Sequence, residues 1–273
     1  MKSSTAIAIG GFDGMHLGHQ QLFSELGENG TIVVIETGYA NLTPKQEREN
    51  FSDYPILYIN LDAIRHLDAE GFICFLKEKF PELSKIVVGY DFHFGKDRKY
   101  SFGDLKTLFE GKVVVVEEVS YKGDSIHSHK IRAKLKIGDI KGANNFLGHN
   151  YTLRGAKVQG QGIGAKELVA TINIEPVGFL IPKEGVYVTL TRVDKEEHYH
   201  PSVSFIGHRV STDGSFAIES HILDGKVICT SNAAISFVSF IRNNKKFDSI
   251  DELKKAINAD IAVASRELKL LQL

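Results

Sequence analysis

The chain contains little cysteine and no tryptophan, and these absences narrow the classes of protein to which it can belong. Its two cysteines, Cys74 and Cys229, lie far apart among 273 residues, with no CxxC pairing and no Cys/His ligand set. This spacing indicates neither a disulfide framework nor a structural zinc site. A reducing compartment is the default for such a sequence, and we expect a cytoplasmic protein.

Long apolar runs and an excess of charge of one sign are also missing. The first apolar stretch, Thr5–Ile9, ends at glycines and is shorter than the core of about 7–15 residues in a signal peptide. No run approaches the roughly 18 apolar residues of a membrane span. The formal net charge is −1, which gives no overall field toward nucleic acid or an anionic bilayer. We therefore expect neither a nucleic-acid nor a membrane partner, and the oligomeric state stays open.

The first half of the chain alternates strand-like and helix-like segments. Short apolar runs rich in β-branched residues are typical of strands buried on both faces of a parallel sheet. Between them, residues 68–80 place apolar side chains on one helical face, and Pro81 ends the pattern. The alternation predicts a doubly wound α/β domain that binds ligands at the carboxyl ends of its strands. The predicted strands are Thr5–Ile9, Thr31–Ile35, Ile56–Ile59, Lys85–Val88 and Lys112–Val116.

From about Gly148 the pattern changes to frequent glycines and alternating strands, which predict a small β-barrel. A closing helix is expected after Ser249, whose spacing to Glu252 is that of a capping box. Its apolar residues recur every three or four positions and form one face. We place the two domains at residues 1–148 and 149–273. The predicted barrel strands are Tyr151–Arg154, Gly185–Leu190, Val203–Ile206 and Ala217–Leu223.

Two histidines follow a glycine-rich turn directly after the first predicted strand. In Gly10–His19 (GGFDGMHLGH) the glycines let the backbone approach a polyphosphate, and a helix beginning near Leu17 would direct its amide groups at that anion. His16 and His19 share one helical face, where both imidazoles can donate to a phosphate during in-line displacement. An isolated HxxH is more often a chance pair or a metal fragment, but its place between a strand and a helix favours the phosphate role.

The same segment resembles the HxGH signature of the nucleotidyltransferase superfamily. Together with residues 88–95 (VGYDFHFG), it resembles the bacterial bifunctional riboflavin kinase/FAD synthetase family. The resemblance implies that the first domain transfers AMP from ATP to FMN and that His16 and His19 are its catalytic residues. The nucleotide-site residues it implies are Gly11, Phe12, Asp13 and Gly18, and the flavin-site residues are Asp91, Phe92, Phe94 and Gly95.

Residues 126–132 (IHSHKIR) correspond to the superfamily's second phosphate-binding segment, usually a Ser-Ser-Thr run followed by Arg. Ser128 and Arg132 match that segment, and a guanidinium suits a phosphate clamp. His127 and His129 differ from that pattern. They could donate to a phosphate or be surface residues, and the sequence leaves both alternatives open. Residues 36–43 lack the family's usual proline-histidine-proline sequence, which affects the expected substrate affinity more than the reaction type.

The second domain carries a counterpart of the family's glycine-rich loop and of the motif after it. Thr171 and Asn173 match the usual Pro-Thr-Ala-Asn motif, while Ala170 replaces its proline. The resemblance makes both residues magnesium ligands, in keeping with the oxygen donors that Mg²⁺ prefers. Glu219 matches the kinase's catalytic glutamate, a general base, although a solvent-facing strand residue is the alternative. Arg242 lies in a further matching segment, which we assign to flavin binding. The glycines expected to hold ATP phosphates are Gly160, Gly162 and Gly164.

These residues predict a two-step enzyme of FAD biosynthesis. Riboflavin and ATP would give FMN in the second domain, and FMN and ATP would give FAD and pyrophosphate in the first, with Mg²⁺ offsetting phosphate charge in both. Two departures are Glu167-Leu168 in place of Leu-Gly and a shortened segment after Asp224. They leave open an alternative in which only FMN adenylylation remains. A flavin-binding module without turnover is another alternative, against which the intact histidine pair argues.

Overall fold

The computed structural model describes residues 3–160, 170–211, 214–225 and 227–271. The chain divides into two compact units, Met1–Ser128 and His129–Leu273. The predicted boundary between functional domains, at residues 148 and 149, falls inside the second unit and stays a prediction. Among the described residues no helix is both long and apolar enough to cross a membrane.

A five-stranded parallel sheet forms the centre of the first unit, in the order β3-β2-β1-β4-β7. The predicted strands are confirmed, since each apolar run became one of these five. The strands are β1 (Ala6–Gly10), β2 (Gly30–Glu36), β3 (Ile56–Asn60), β4 (Lys85–Gly89) and β7 (Lys112–Val116), with short hairpins of β5 (His93–Phe94), β6 (Tyr100–Ser101), β8 (Ser120–Tyr121) and β9 (Asp124–Ser125). The helices are α1 (Leu17–Ser24), α2 (Leu61–Ile64), α3 (Ala69–Lys79) and α4 (Phe102–Leu108), with 3₁₀ turns at Lys45–Phe51 and Lys96–Arg98.

Helices cover both faces of this sheet, as the apolar strands predicted. Alternate residues of β1 enter different cores: Ile7 and Ile9 pack with the apolar side of α3, whereas Ala8 packs with Leu22 and Phe23 of α1. The chain winds outward from β1 through β2 to β3, then returns to β4 on the other side of β1. The order of strands therefore reverses between β1 and β4, and ligands bind at such a switch point, outside the carboxyl ends of the strands.

A closed six-stranded antiparallel barrel forms most of the second unit, in the order β10-β11-β14-β13-β12-β15. The doubly wound sheet and the small barrel together confirm the predicted fold class. Two helices precede the barrel and one follows it. These elements are α5 (Ser128–Ile137), α6 (Ile140–Leu147), β10 (Thr152–Val158), β11 (Ile172–Glu175), β12 (Gly185–Val193), β13 (His200–His208), β14 (Phe216–Ile222), β15 (Asn232–Asn243) and α7 (Ile250–Leu271).

Hydroxyl groups, rather than apolar side chains alone, fill part of the barrel core. Thr189 and Thr191 of β12 are fully buried, and each hydroxyl contacts two serine hydroxyls of neighbouring strands. Thr189 Oγ1 lies 2.8 Å from Ser202 Oγ and 2.7 Å from Ser204 Oγ. Thr191 Oγ1 lies 2.9 Å from Ser202 Oγ and 2.6 Å from Ser220 Oγ. Because a hydroxyl both donates and accepts, the network gives each of these buried groups a hydrogen-bond partner.

The terminal helix packs against the outside of the barrel. Ser249 Oγ accepts a hydrogen bond from the Glu252 amide at 3.2 Å, so the predicted cap is present. Ala264 and Leu268 of α7 are buried against Val188 and other apolar residues of the barrel wall. Burial of this apolar stripe is the main force that holds a helix on a sheet.

We expect Leu268→Ala to lower the free energy of unfolding of the second unit by about 2–4 kcal/mol, because it removes a buried side chain and leaves a cavity. Leu270→Ala is the matched control: Leu270 lies on the same helix but is 67% exposed, and its loss should change stability by less than about 0.5 kcal/mol. Hydrogen exchange of the β12 amides, followed by mass spectrometry, reports the stability of this unit separately. Equal effects of the two substitutions would contradict the packing described.

Candidate active sites

The first site is the loop that joins β1 to α1. Phe12 and Met15 both have φ of +46°, in the left-handed region that side chains other than glycine rarely adopt, and Gly14 has φ of +92°. A loop of this shape brings the backbone close to the N-terminus of α1, where helix amides and the helix dipole favour an anion. The loop lies at the carboxyl end of β1, beside the switch point of the sheet.

Residues 41–43, which follow β2, hold this loop in its strained shape. The Asp13 carboxylate accepts hydrogen bonds from the backbone amides of Asn41, Leu42 and Thr43 at 2.9–3.2 Å. Thr43 Oγ1 in turn accepts from the Gly14 amide at 2.7 Å. The part of the chain that lacks the proline-histidine-proline sequence thus anchors the loop through its backbone.

Arg48, in the 3₁₀ turn Lys45–Phe51, also holds this loop in place. Its side chain is almost fully buried, and Nη2 donates to the Gly11 carbonyl at 3.0 Å. Nη1 donates to Glu36 Oε1 at 2.6 Å and to the Lys45 carbonyl at 2.9 Å. A buried guanidinium is tolerated because a carboxylate and two carbonyl oxygens accept hydrogen bonds from its two Nη groups.

The two histidines lie together at the start of α1, as the spacing predicted. His16 caps the helix, because its Nδ1 accepts from the His19 amide at 3.3 Å. The two rings stack with 3.5 Å between centroids and an interplanar angle of 20°. Phe12 contacts the His19 ring edge-on at 5.2 Å. A Cβ at Gly18 would lie 3.1 Å from the His16 ring, so glycine between the histidines leaves room for this stack.

The environment of His19 disfavours its protonated form. Burial lowers the pKa of His19 well below 6.5, and the nearby His16 and Arg48 lower the pKa further. Its Nδ1 atom is buried and has no hydrogen-bond partner among the described residues. His19 is therefore a neutral imidazole at pH 7, which can donate a hydrogen bond from a ring N–H without carrying a full charge.

The predicted second phosphate segment is split between the two units. Ser128 contacts the first loop directly, because its Oγ donates to the Asp13 carbonyl at 2.8 Å. Arg132 lies on α5, within the second unit. His127 Nε2 lies 3.0 Å from Glu118 Oε1, so this departing histidine has a carboxylate neighbour. The phosphate roles of Ser128 and Arg132 stay predictions.

The predicted flavin residues lie in a turn after β4, and part of this turn belongs to the hydrophobic core. Phe94 is buried and packs against Phe72 and Tyr100, with ring centroids 5.2 and 5.8 Å away. Phe92 is only partly buried and stacks on Phe94, and Asp91 is exposed. Gly95 has φ of +70°, and a Cβ there would lie 2.5 Å from the Tyr100 ring. The turn follows the strand next to β1, and its contact with flavin stays a prediction.

The second site lies where β11 pairs with β14. Asn173 and Glu219 are directly opposite in the antiparallel register. Arg209, which follows β13, joins them: Nε donates to Glu219 Oε1 at 2.7 Å, and Nη2 donates to Asn173 Oδ1 at 2.8 Å. The three side chains are mostly buried. Glu219 is therefore held in a cluster with the predicted magnesium ligand and is not a solvent-facing strand residue.

Neighbouring residues extend this cluster toward the predicted phosphate loop. Asn173 Nδ2 donates to Thr171 Oγ1 at 3.4 Å, which places the two predicted magnesium ligands side by side. A Cβ at Gly160 would lie 2.6 Å from Asn173 Nδ2, so only glycine fits this close approach. The other predicted glycines, Gly162 and Gly164, and the departing pair Glu167-Leu168 lie outside the described residues.

Arg242, predicted to bind flavin, has structural partners. Its Nε and Nη2 donate to the carboxylate of the buried Asp260 on α7 at 2.8–3.2 Å. The guanidinium also lies 5.6 Å from the Phe247 ring centroid. These contacts fix α7 on the barrel, and the flavin contact of Arg242 stays a prediction.

Two arginines that organise these sites, Arg48 and Arg209, are not among the residues predicted from the sequence. Arg48 stands in a charged stretch without periodicity, and no local signal identifies it as buried. Arg209 stands in a segment that resembles the family, after Ile206 and Gly207. That resemblance was the signal that could have identified Arg209, because its two partners, Asn173 and Glu219, lie on other strands.

Fold and sites together define a two-part protein, in which an HxGH nucleotidyltransferase-type α/β unit precedes a flavokinase-like barrel. A family model described as FAD synthetase matches residues 1–36, and one described as riboflavin kinase matches residues 147–268. These matches and the proteins below confirm the resemblance inferred from the sequence: the chain is similar to the bifunctional riboflavin kinases/FMN adenylyltransferases over nearly its whole length.

Relatives with that description match over most of their length. The protein of Pseudomonas fluorescens is 28% identical, with 94% of this chain and 90% of that protein covered. The protein of Listeria monocytogenes is 27% identical, with 93% and 89% covered. A crystal structure described as a macrolide-efflux protein from Streptococcus pneumoniae superposes with a TM-score of 0.83 and 25% identity, covering 97% of this chain and 95% of that one. The same two-part architecture is thus present in a solved structure.

We expect His16→Asn to raise the pKa of His19. Asparagine preserves the N-cap, while the substitution removes the neighbouring imidazole and opens His19 to water, and both changes favour its protonated form. Long-range ¹H–¹⁵N NMR spectra recorded across a pH titration measure the pKa of His19 in both proteins. In the parent protein the His19 ring should remain neutral at pH 6.5. An unchanged or lower pKa in the variant would contradict the stacked arrangement.

Proposed function

We propose that the chain carries out both steps of FAD biosynthesis, phosphorylating riboflavin to FMN and adenylylating FMN to FAD with release of pyrophosphate. One observation carries the proposal: each unit holds its own polar cluster, the imidazole pair of His16 and His19 in the first and the Glu219–Arg209–Asn173 cluster in the second. The relatives described as bifunctional enzymes support it over most of the chain.

In the adenylyl step, an FMN phosphate oxygen attacks the α-phosphorus of ATP, and the bond to pyrophosphate breaks. No covalent enzyme intermediate is needed, so catalysis consists of positioning and charge stabilisation. His16 and His19 would donate hydrogen bonds to the α-phosphate oxygens as charge accumulates there. Because Asp13, Thr43 and Arg48 hold the loop in place before substrate binds, the site needs little reorganisation during the reaction.

In the kinase step, the riboflavin 5′-hydroxyl oxygen attacks the γ-phosphorus of ATP and ADP leaves. Glu219 would accept the hydroxyl proton as general base. Arg209 orients Glu219 and Asn173 simultaneously through its two donor groups, a geometry that lysine cannot reproduce. Arg209 is thus assigned as the positioning residue of this site.

Magnesium is proposed as the metal for both steps, with ATP as co-substrate. The Thr171 hydroxyl lies beside the Asn173 side-chain amide, and a hydroxyl and an amide oxygen suit a cation that keeps several waters and binds substrate phosphates. Asn173 Oδ1 accepts from Arg209 and has a second lone pair for an ion. In the second unit these two side chains would hold the ion, which would offset phosphate charge when bound. A cytoplasmic location belongs to the same proposal.

The alternative of a protein that only adenylylates FMN has no observation in its favour. Ala170 in place of proline does not prevent the cluster from forming, since its carbonyl lies 2.8 Å from His221 Nδ1 and the next residues pair normally with β14. Glu219, Asn173 and Thr171 are all in contact through Arg209 and Asn173. The proposal therefore keeps both activities.

His19→Gln should lower FAD formation from FMN by about 10²–10³-fold, because one donor to the developing phosphate charge is displaced. Formation of FMN from riboflavin by the same sample is the internal control and should remain near the parent rate. Chromatography of the flavins, with pyrophosphate measured in parallel, follows both steps. Equal loss of both activities in the folded variant would remove His19 from the adenylyl site.

Glu219→Gln should show the opposite pattern, with FMN formation lowered by about 10²–10⁴-fold through loss of the general base and FAD formation from supplied FMN retained. Glu175→Gln is the matched control, because Glu175 is an exposed glutamate on β11, the strand paired with β14. It should leave both rates unchanged. Full kinase activity of Glu219→Gln would exclude the proposed proton transfer.

A further inference from the structure

A further polar cluster lies in the second unit, at the turn between β12 and β13. Glu196, His198 and His200 occupy alternate positions along this segment, where the chain turns and bends before β13 begins at His200. Their ligand atoms all lie within 4.8 Å of one another, and they are the one such group found in the part of the chain that the structure describes.

The distances within this group suit a metal with nitrogen and oxygen ligands. Glu196 Oε2 lies 2.8 Å from His200 Nε2 and 3.9 Å from His198 Nε2. Ligands bound tetrahedrally to zinc at 2.0–2.2 Å are about 3.4 Å apart, a value between these two. The imidazole rings of His198 and His200 are 4.4 Å apart and inclined at 66°. Small side-chain rotations would thus direct all three atoms to one point.

A fourth residue orients the most buried of the three. His200 is 8% exposed, and its Nδ1 lies 3.2 Å from Asp224 Oδ1 just beyond β14. An imidazole that binds a metal through one nitrogen commonly donates its other N–H to a carboxylate, which fixes the ring. Asp224 occupies that position while His200 Nε2 faces Glu196.

The backbone around the cluster is held by a neighbouring aspartate. The Asp194 carboxylate accepts from the amides of Thr230, Ser231 and Asn232 at 2.7–3.1 Å. Asp194 lies two residues before Glu196, so these bonds fix the turn between β12 and β13 to the start of β15. A metal ligand on this turn loses less conformational freedom on binding than one on an untethered loop.

We propose that Glu196, His198 and His200 bind a divalent transition-metal ion, with zinc as the fitting example, and that Asp224 orients His200. Two imidazoles and one carboxylate match zinc rather than Mg²⁺, which prefers oxygen ligands alone. The site contains no cysteine, so the spacing of Cys74 and Cys229 gave no indication of it. β13 separates His200 from Arg209 by roughly 25–30 Å, so the ion is distinct from the magnesium proposed for the kinase site.

Calorimetric titration of the untagged full-length chain with ZnCl₂ tests this site. The protein should carry Cys74→Ser, because Cys74 is a free exposed cysteine that would itself bind zinc. We expect saturable binding of one zinc ion that 100-fold excess Mg²⁺ does not displace. His198→Ala should weaken binding at least tenfold, and Asp224→Asn by about 10–100-fold.

His198→Ala is the decisive variant, since this side chain is 68% exposed and its loss leaves the fold intact, which circular dichroism checks. His208→Ala is the matched control: His208 is another exposed histidine, with Nδ1 2.9 Å from Glu184 Oε1, but it belongs to no group of three possible metal ligands among the residues that the structure describes. The zinc affinity of the His208→Ala protein should equal that of the parent protein. Absence of binding by the parent, or equal affinity in His198→Ala, would overturn the proposal.

Discussion

The shape of the loop between β1 and α1 depends on one carboxylate. The Asp13 carboxylate accepts hydrogen bonds from the backbone amides of residues 41–43. These bonds offset the conformational energy of the left-handed backbone at Phe12 and Met15, on either side of Asp13. The histidines come directly after this loop, so their position follows from its shape. Asp13 was expected to line the nucleotide site, and its contacts give it an additional structural role.

Each unit uses an arginine to connect segments that are distant in sequence. Arg48 ties the Gly11 carbonyl to Glu36, at the end of β2. Arg209 ties Glu219 of β14 to Asn173 of β11. In each case a guanidinium is suitable because its several N–H groups lie in one plane at fixed angles and bond two acceptors at once. Positioning by arginine is therefore a common feature of two unrelated folds within this chain.

The sequence predicted those parts of the molecule whose signals are local. The five parallel strands, the helix from Ala69 and the histidine pair were found because β-branched runs, caps and spacing are local properties. β15 was missed: its central residues are buried on both faces, and two register shifts against β12 interrupt its alternation. Arg48 and Arg209 were missed as site residues because their roles exist only once distant strands have paired.

The threonine and serine hydroxyls inside the barrel have a consequence for how this domain can evolve. Their bonds join β12, β13 and β14, and a slip of one residue in any strand would turn its hydroxyls outward and leave the others unpaired. A change of Thr189 to valine would remove two hydroxyl contacts and leave Ser204 without its partner in the network, because only Ser202 also contacts Thr191. A coordinated exchange of the whole set would leave no such group. The network therefore acts as a lock on strand alignment, and its members are expected to be inherited or replaced together.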